Sequence, residues 1–330
     1  MYKRQVKGCE FLNKMVLYGQ KNRWYALQKR AATNSISKEV KAYYDSLQII
    51  TQGYNSLLNG KWNPVMTTRQ GFAASYFELP KLMTVSLPDA PSLGVLAEGE
   101  DVLQGKSSIH TLPAFNTYFR QSYYVDLFNK GIIPLNWSVT TSDDWIVIDK
   151  KEGITKLEER IWVSIDWTKV PVGERISGVI DVMAGSAGKD KIYVSVFNPS
   201  SPSLQEMDSL FVEHNGYVSI NASDYHRKVE NEDIKIELIP NLGFEKASVQ
   251  LGNPTAPVQK TGSSVVPRVE YDFYTFGQGS VDVYTYVLPT FTLSTDKDYA
   301  GHEATNIETK YGICIDEGPV MNLSLIHISE

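Results

Sequence analysis

Between Tyr54 and Pro80 the spacing of apolar side chains changes from three and four residues to two. Upstream, Val40, Tyr43, Tyr44, Leu47, Ile50, Tyr54, Leu57 and Leu58 recur at the intervals of one helix face. Downstream, Arg160-Ile161-Trp162-Val163-Ser164-Ile165-Asp166-Trp167 alternates residue by residue, the period of a half-buried strand. One periodicity cannot serve both halves, so neither a helical bundle nor a single sheet accounts for the chain. The expected fold is mainly β: a short N-terminal α-helical segment followed by two β-sandwich domains, the first Ig-like and the second jelly-roll-like.

Within the head, Phe11, Leu12, Met15, Val16, Tyr18, Trp24, Tyr25 and Leu27 predict a helix over 9–31, and residues 33–36 (TNSI) break it. Ser37 is placed to cap a second helix, with Glu39 in its first turn. Asn59-Gly60 closes that helix. Two helices cannot bury both their faces, so the pair is expected to leave Tyr44, Leu47, Ile50 and Leu58 as a sticky patch. Residues 1–60 carry ten Lys and Arg against Glu10, Glu39 and Asp45, which suits a solvated face or an acidic partner surface. The whole chain has net charge -6, which argues against nucleic acid as the main partner. Cys9 and Cys314 fall in different expected domains and build no disulfide framework or zinc spacing. No run is long and apolar enough to span a membrane.

Pro80, Pro88, Pro91 and Pro113 punctuate a connector over 81–113, which holds one short apolar strand, Leu93–Gly99. Strand patterns follow at Tyr123–Phe128, Leu135–Val139, Asp144–Ile148, Arg160–Trp167, Ile176–Val182 and Lys191–Phe197. Together with turn signals such as Asn129-Lys130-Gly131, they predict an Ig-like sandwich over 114–200. Asn198–Glu206 is a Ser- and Pro-rich linker. A second sandwich over 201–322 is expected to open with a strand at Gly216–Tyr225. It continues through Val269–Phe276, Val281–Thr290 and Tyr311–Glu317.

Several of these stretches resemble one known family. Tyr54-Asn55-Ser56-Leu57, Gly60-Lys61-Trp62-Asn63 and Met66 look like the end of the helical region of glycoside hydrolase family 115, the xylan α-1,2-glucuronidases. The middle region, from FNTYFRQSYYVDLFNKG onward, resembles the family's sandwich and the BACON-type modules of Bacteroidetes carbohydrate enzymes. The order EYDFY (270–274), then Val281 to Thr290, then Tyr311 to Asp316, resembles the family's C-terminal domain, which is similar to jelly-roll carbohydrate-binding modules. The resemblance covers about residues 54 to 322. Two departures stand out. Pro64 replaces a His that often follows the Lys-Trp-Asn motif, and Asn221 and Ser223 stand where such modules place the two acids that hold a structural calcium. No calcium or other cofactor is therefore expected. Leu323–Glu330, LSLIHISE, resembles a translated sequencing-adapter tail and is expected to be non-native.

The resemblance implies that the chain follows a catalytic barrel absent from it. The family's inverting hydrolysis of glucuronic acid from glucuronoxylan would belong to the longer protein. That protein would be periplasmic or extracellular, act on glucuronoxylan or another plant polysaccharide, and pair with its own barrel or as a homodimer. No residue of the barrel can be carried over, so no catalytic and no metal residue is assigned. The residues agree: the sequence lacks a His-x-x-x-His pair, a Gly-x-Ser-x-Gly elbow and a phosphate loop. Its neighbouring acids, Glu98/Glu100/Asp101, Asp143/Asp144, Glu158/Glu159 and Glu230/Glu232/Asp233, lie in polar stretches rather than across a sugar site. Sugar stacking is the function left to aromatic side chains. The candidates are Trp137, Trp145 and Trp167 in the first sandwich and Tyr225, Tyr271 and Tyr274 in the second. The alternative is a stand-alone carbohydrate-binding or surface structural β-sandwich protein.

Overall fold

The helical period of the head folds as α1 (Tyr2–Leu27) and α2 (Thr33–Asn55). The structure, a computed structural model, describes residues 2–66, 77–100, 109–252, 259, 266–288, 310–316 and 318–324. The chain is mainly β behind this short helical segment, and it divides into two units, Met1–Ser201 and Pro202–Glu330.

The break between the helices falls at residues 28–32, earlier than the TNSI stretch. Lys29 takes a left-handed backbone (φ 56), and the N–H of Arg30 bonds back to the Tyr25 carbonyl. Thr33 therefore already belongs to α2, which starts without a side-chain cap, and Ser37 lies buried inside the helix. At the other end α2 stops at Asn55, because Leu58, Asn59 and Gly60 all adopt positive φ.

The helices pack along Met15, Ala32, Ile36 and Val40, with Leu12, Tyr18, Tyr25, Tyr43 and Tyr44 around them. Leu47 of the expected sticky patch is buried, Tyr44 and Ile50 are half-buried, and only Leu58 is exposed. Part of the cover comes from the chain itself. Asn22, fully buried in α1, donates to the Met83 carbonyl (3.0 Å) and accepts from the Met83 N–H (2.7 Å). Asn34 does the same with Val85, at 3.0 and 2.9 Å. Two side-chain amides thus imitate a neighbouring strand and hold the extended connector on the helices. Gly19 permits the close approach, since a methyl there would lie 3.1 Å from Pro80 Cγ.

The alternating segments form a two-sheet sandwich. One sheet has four strands in the order β1 (Leu93–Ala97), β4 (Tyr123–Asn129), β8 (Glu158–Ile165) and β6 (Ile146–Ile148). The other contains β10 (Lys189–Asn198), β9 (Gly173–Met183), β5 (Leu135–Thr141) and β7 (Glu152–Thr155) in that order. On the free edge of β10, β2 (His110–Thr111) and β3 (Phe115–Asn116) pair in parallel, interrupted at Pro113, which has no N–H to donate. The sandwich thus begins at Leu93, inside the stretch read as connector. Its core is one cluster that includes Phe115, Leu127, Leu135, Trp137, Trp145, Ile161, Ile180 and Ile192.

Asn129 ties off one end of this sandwich. It is fully buried, its amide donates to the Ile133 carbonyl (2.7 Å), and its oxygen accepts from the Gly131 N–H (2.9 Å). Gly131 must be glycine here, because a methyl would sit 1.7 Å from the Ala90 carbonyl oxygen. The Asn129 backbone carbonyl in turn accepts the N–H of Ala31, from the interhelix turn, at 2.8 Å.

In the second unit the described strands pair two by two. β11 (Phe211–Val212) runs parallel to β16 (Phe273–Tyr274), and β12 (Arg227–Val229) antiparallel to β15 (Arg268–Glu270). β13 (Ile236–Pro240) and β14 (Ala247–Leu251) form a hairpin, and β17 (Lys310–Ile313) pairs with β18 (Met321–Ser324). The opening strand expected at Gly216–Tyr225 is instead turns: Asn215 and Gly216 have positive φ, and the Asp224 N–H bonds the Asn221 carbonyl. Residues 281–288 are described without strand pairing, while 289–290 and the tail residues 325–330 lie outside the described residues.

Candidate functional site

Among the carboxylates adjacent in sequence, Glu158 and Glu159 lie on β8, whose pleat sends neighbours to opposite faces, and the other described ones lie in turns and irregular backbone. Glu158 turns to the helices and Glu159 to Lys150, 2.5 Å away. Asp144 is exposed beside Lys169, and Glu230 pairs with Lys228. Among the described residues no three His, Cys, Asp or Glu side chains converge as metal ligands, and no helix is long and apolar enough to cross a membrane. Both cysteines are free. Asp101, His302 and His327 lie outside the described residues.

Of the aromatic candidates, Trp137 and Trp145 are core residues, each 3% exposed. Neither offers a face to a sugar. Trp137 belongs to the inward phase of β5 and packs on Gly153, and Trp145, in the turn before β6, packs on Gly178. Trp167 is half-buried against the same core. Tyr271 is half-buried, gives its hydroxyl hydrogen to the Ala222 carbonyl (2.8 Å) and meets Phe211 edge-on. Tyr225 is half-buried nearby, and Tyr274 packs on Phe276. Beside them, Arg227 forks onto Asp272 with two 2.7 Å bonds and reaches Glu270 at 2.8 Å. Arg268 takes the other oxygen of Glu270. These ion pairs hold the Glu270 and Asp272 carboxyls below the usual range.

The residues that the structure does assemble lie on the outer face of the four-stranded sheet. Tyr124, Asp126 and Phe128 point outward from β4, opposite Trp162, Arg160 and Glu158 of β8. One end of this face is covered. Arg30, 1% exposed, stacks between the rings of Tyr25 (4.3 Å) and Phe128 (4.1 Å). It donates to Glu158 at 2.9 Å and reaches Asp126 at 3.5 Å. Tyr25 donates its hydroxyl to the same Glu158, and burial pushes that phenol's pKa up. The other end is open. Arg160 bonds Asp126 through Nε (2.8 Å) and Nη2 (3.3 Å), and its guanidinium lies 3.6 Å above the Tyr124 ring. Trp162 meets Tyr124 at 5.8 Å, nearly perpendicular, and is 45% exposed. Sequence reasoning passed over Trp162, although the alternation of 160–165 already places it outward.

A second cluster lies on the β10 edge. His110 Nδ1 is 2.9 Å from a Glu100 oxygen and Nε2 is 3.3 Å from Asp190. The hydrogen bond to Glu100 raises the His110 pKa above 6.5, with the charges of Glu100 and Asp190 adding to it against burial. Lys130, whose own pKa burial lowers, also feels Asp190. A raised folded pKa stabilises fully below the unfolded value and is lost as pH rises through the folded one. The thermal midpoint should therefore fall as the pH rises above 6.5. The same scan on His110→Gln should lose most of that slope; an unchanged slope would exclude His110 as its source.

Residues 210–329 match the model of the glycosyl hydrolase family 115 C-terminal domain. No curated protein matches the chain. Among solved structures, a Bacteroides ovatus GH5 xyloglucanase in complex with a XXXG heptasaccharide aligns at 16% identity and TM-score 0.25, covering 40% of this chain and 24% of that one. A family 123 glycoside hydrolase from Clostridium perfringens aligns at 15% identity and TM-score 0.24, covering 37% and 30%. The PapD-like domain 7 of human CEP192 aligns at 10% identity and TM-score 0.24, covering 38% and 96%. Likenesses of this size say nothing of function, and the chain spans under a third of either hydrolase.

Proposed function

We infer that a chain carrying the C-terminal domain of glycosyl hydrolase family 115 is the non-catalytic end of an enzyme of that family. The enzyme removes glucuronic acid, or its 4-O-methyl ether, from α-1,2 linkages on xylan. The observation that carries the reading is the family match over residues 210–329. The catalytic barrel belongs to the part of the protein that precedes this chain, and the two units here support it.

One surface supports the place of that missing part. At 100° per residue, Tyr2, Val6, Val16, Leu17, Trp24 and Leu27 share one side of α1, and all are exposed. Gly8, Met15, Gly19 and Asn22 occupy the buried side. Asn13 and Gln20 interrupt this side, and the apolar residues on either side of them suit a further packed element. The helix carries six Lys and Arg against Glu10 alone, so two copies would repel across it. That favours the rest of the same protein over a homodimer at this face. Trp167, Tyr225, Tyr271 and Tyr274 remain the candidates for sugar contact from the sequence.

Sequencing the gene upstream of the Met1 codon tests the reading. An open frame encoding a barrel is expected. A stop codon and a ribosome-binding site directly before Met1 would replace it with the stand-alone module. On glucuronoxylan, the chain by itself is expected to release no glucuronic acid, and release above a no-protein blank would place an active site within it.

A further inference from the structure

The open end of the outer face has the makings of a sugar shelf. Trp162 stands out of a sandwich that buries its other strand tryptophan, Trp137, at 3%. Its contact with Tyr124 is edge-to-face, and such a contact occupies at most one face of the indole. Val147, exposed on β6, extends the apolar surface across three strands, about 10 Å. Asp149 and Glu98 flank it, their carboxylates accepting the backbone N–H groups of Trp162 and Tyr124. They supply acceptors for sugar hydroxyls beside a flat aromatic surface, the combination that pyranose rings bind.

The charges decide which sugar. Two cations, Arg30 and Arg160, face two anions, Asp126 and Glu158, in one hydrogen-bonded group. The group is neutral, and its carboxylates already hold both guanidinium groups. Within this group no cation lacks a carboxylate partner, and Asp149 and Glu98 beside it add negative charge that opposes a uronate. We propose that Trp162, Tyr124 and Arg160 form a binding shelf for the neutral pyranose backbone of a polysaccharide, not for its acidic side groups. This rests on the reading of the chain as part of a polysaccharide hydrolase: the shelf would hold the main chain while chemistry proceeds on a branch.

Affinity electrophoresis of the full chain tests it, with unsubstituted xylan, then polygalacturonate, in the gel. Retardation by xylan but not by polygalacturonate is expected. Trp162→Ala should weaken the xylan effect roughly tenfold or more. Trp162→Phe should keep part of it, and Trp24→Ala, on the exposed side of α1, all of it. A thermal melt of Trp162→Ala should match the parent within a few degrees, which separates lost binding from lost folding. Equal retardation of Trp162→Ala and the parent would overturn the shelf. So would retardation by polygalacturonate alone, or no retardation by xylan. Those results would leave the hydrolase reading standing, since the upstream reading frame decides that separately.

Discussion

Arg30→Ala is expected to cost about 3 kcal/mol or more and to split one unfolding transition into two. The guanidinium is buried, stacked between two rings, and bonded to carboxylates on two strands. Removing it leaves Glu158 without its cation and opens a cavity between Tyr25 and Phe128. Asp126 keeps Arg160, so the sheet itself suffers less than the joint. The sandwich core includes no helix residue and should persist after the helices let go. Urea titration followed by far-ultraviolet circular dichroism should show helix loss at lower denaturant than sheet loss. Arg30→Lys should recover less than half, because an ammonium neither forks nor stacks as a planar cation does. A single transition at the parental midpoint in the alanine variant would show that the latch is not what joins helices to sheet.

Trp137→Ala should cost about 3 to 5 kcal/mol, the range for emptying a large aromatic site in a packed core. The ring lies so close to Gly153 that a methyl there would be 2.7 Å from it, so strand β7 rests on this side chain. Its Nε1 is buried without an acceptor among the described residues, a desolvated donor that subtracts from the benefit of the ring. Trp137→Phe keeps most of the packing and removes that donor. It should therefore cost far less than the alanine change, about 1 kcal/mol. Urea midpoints of the two variants provide the check. An alanine variant within 1 kcal/mol of the parent would mean that the site collapses freely and that the residue is not a core element.

The contrast between Trp137 and Trp162 was readable from the chain. Leu135, Trp137 and Val139 share one phase of the alternation and Asn136 and Ser138 the other, so the period that identifies the strand also assigns its inward side. The same reasoning sends Trp162 outward between Ile161 and Val163. The joint between helices and sheet was not readable. Arg30 is one of two adjacent basic residues in a helix break, and its carboxylate partners lie 96 and 128 residues further on. Nothing local marks it. The second unit was misread at Gly216–Tyr225 for a different reason. Its apolar and polar residues alternate as in a strand, but Asn215-Gly216 and Asn221 supply turns that override the pattern.

The amide clamps on the connector carry a consequence for how this segment can drift over time. Asn22 and Asn34 each address one N–H and one C=O of the main chain. Those groups are the same in almost every amino acid, so the grip is blind to the side chains at 83 and 85. Met83 and Val85 are free to exchange for many residues while the path of the segment stays fixed. Proline alone is barred at both positions, because it has no N–H to offer. A family alignment across this stretch would then show two asparagines kept far upstream and, where they grip, little agreement except the absence of proline.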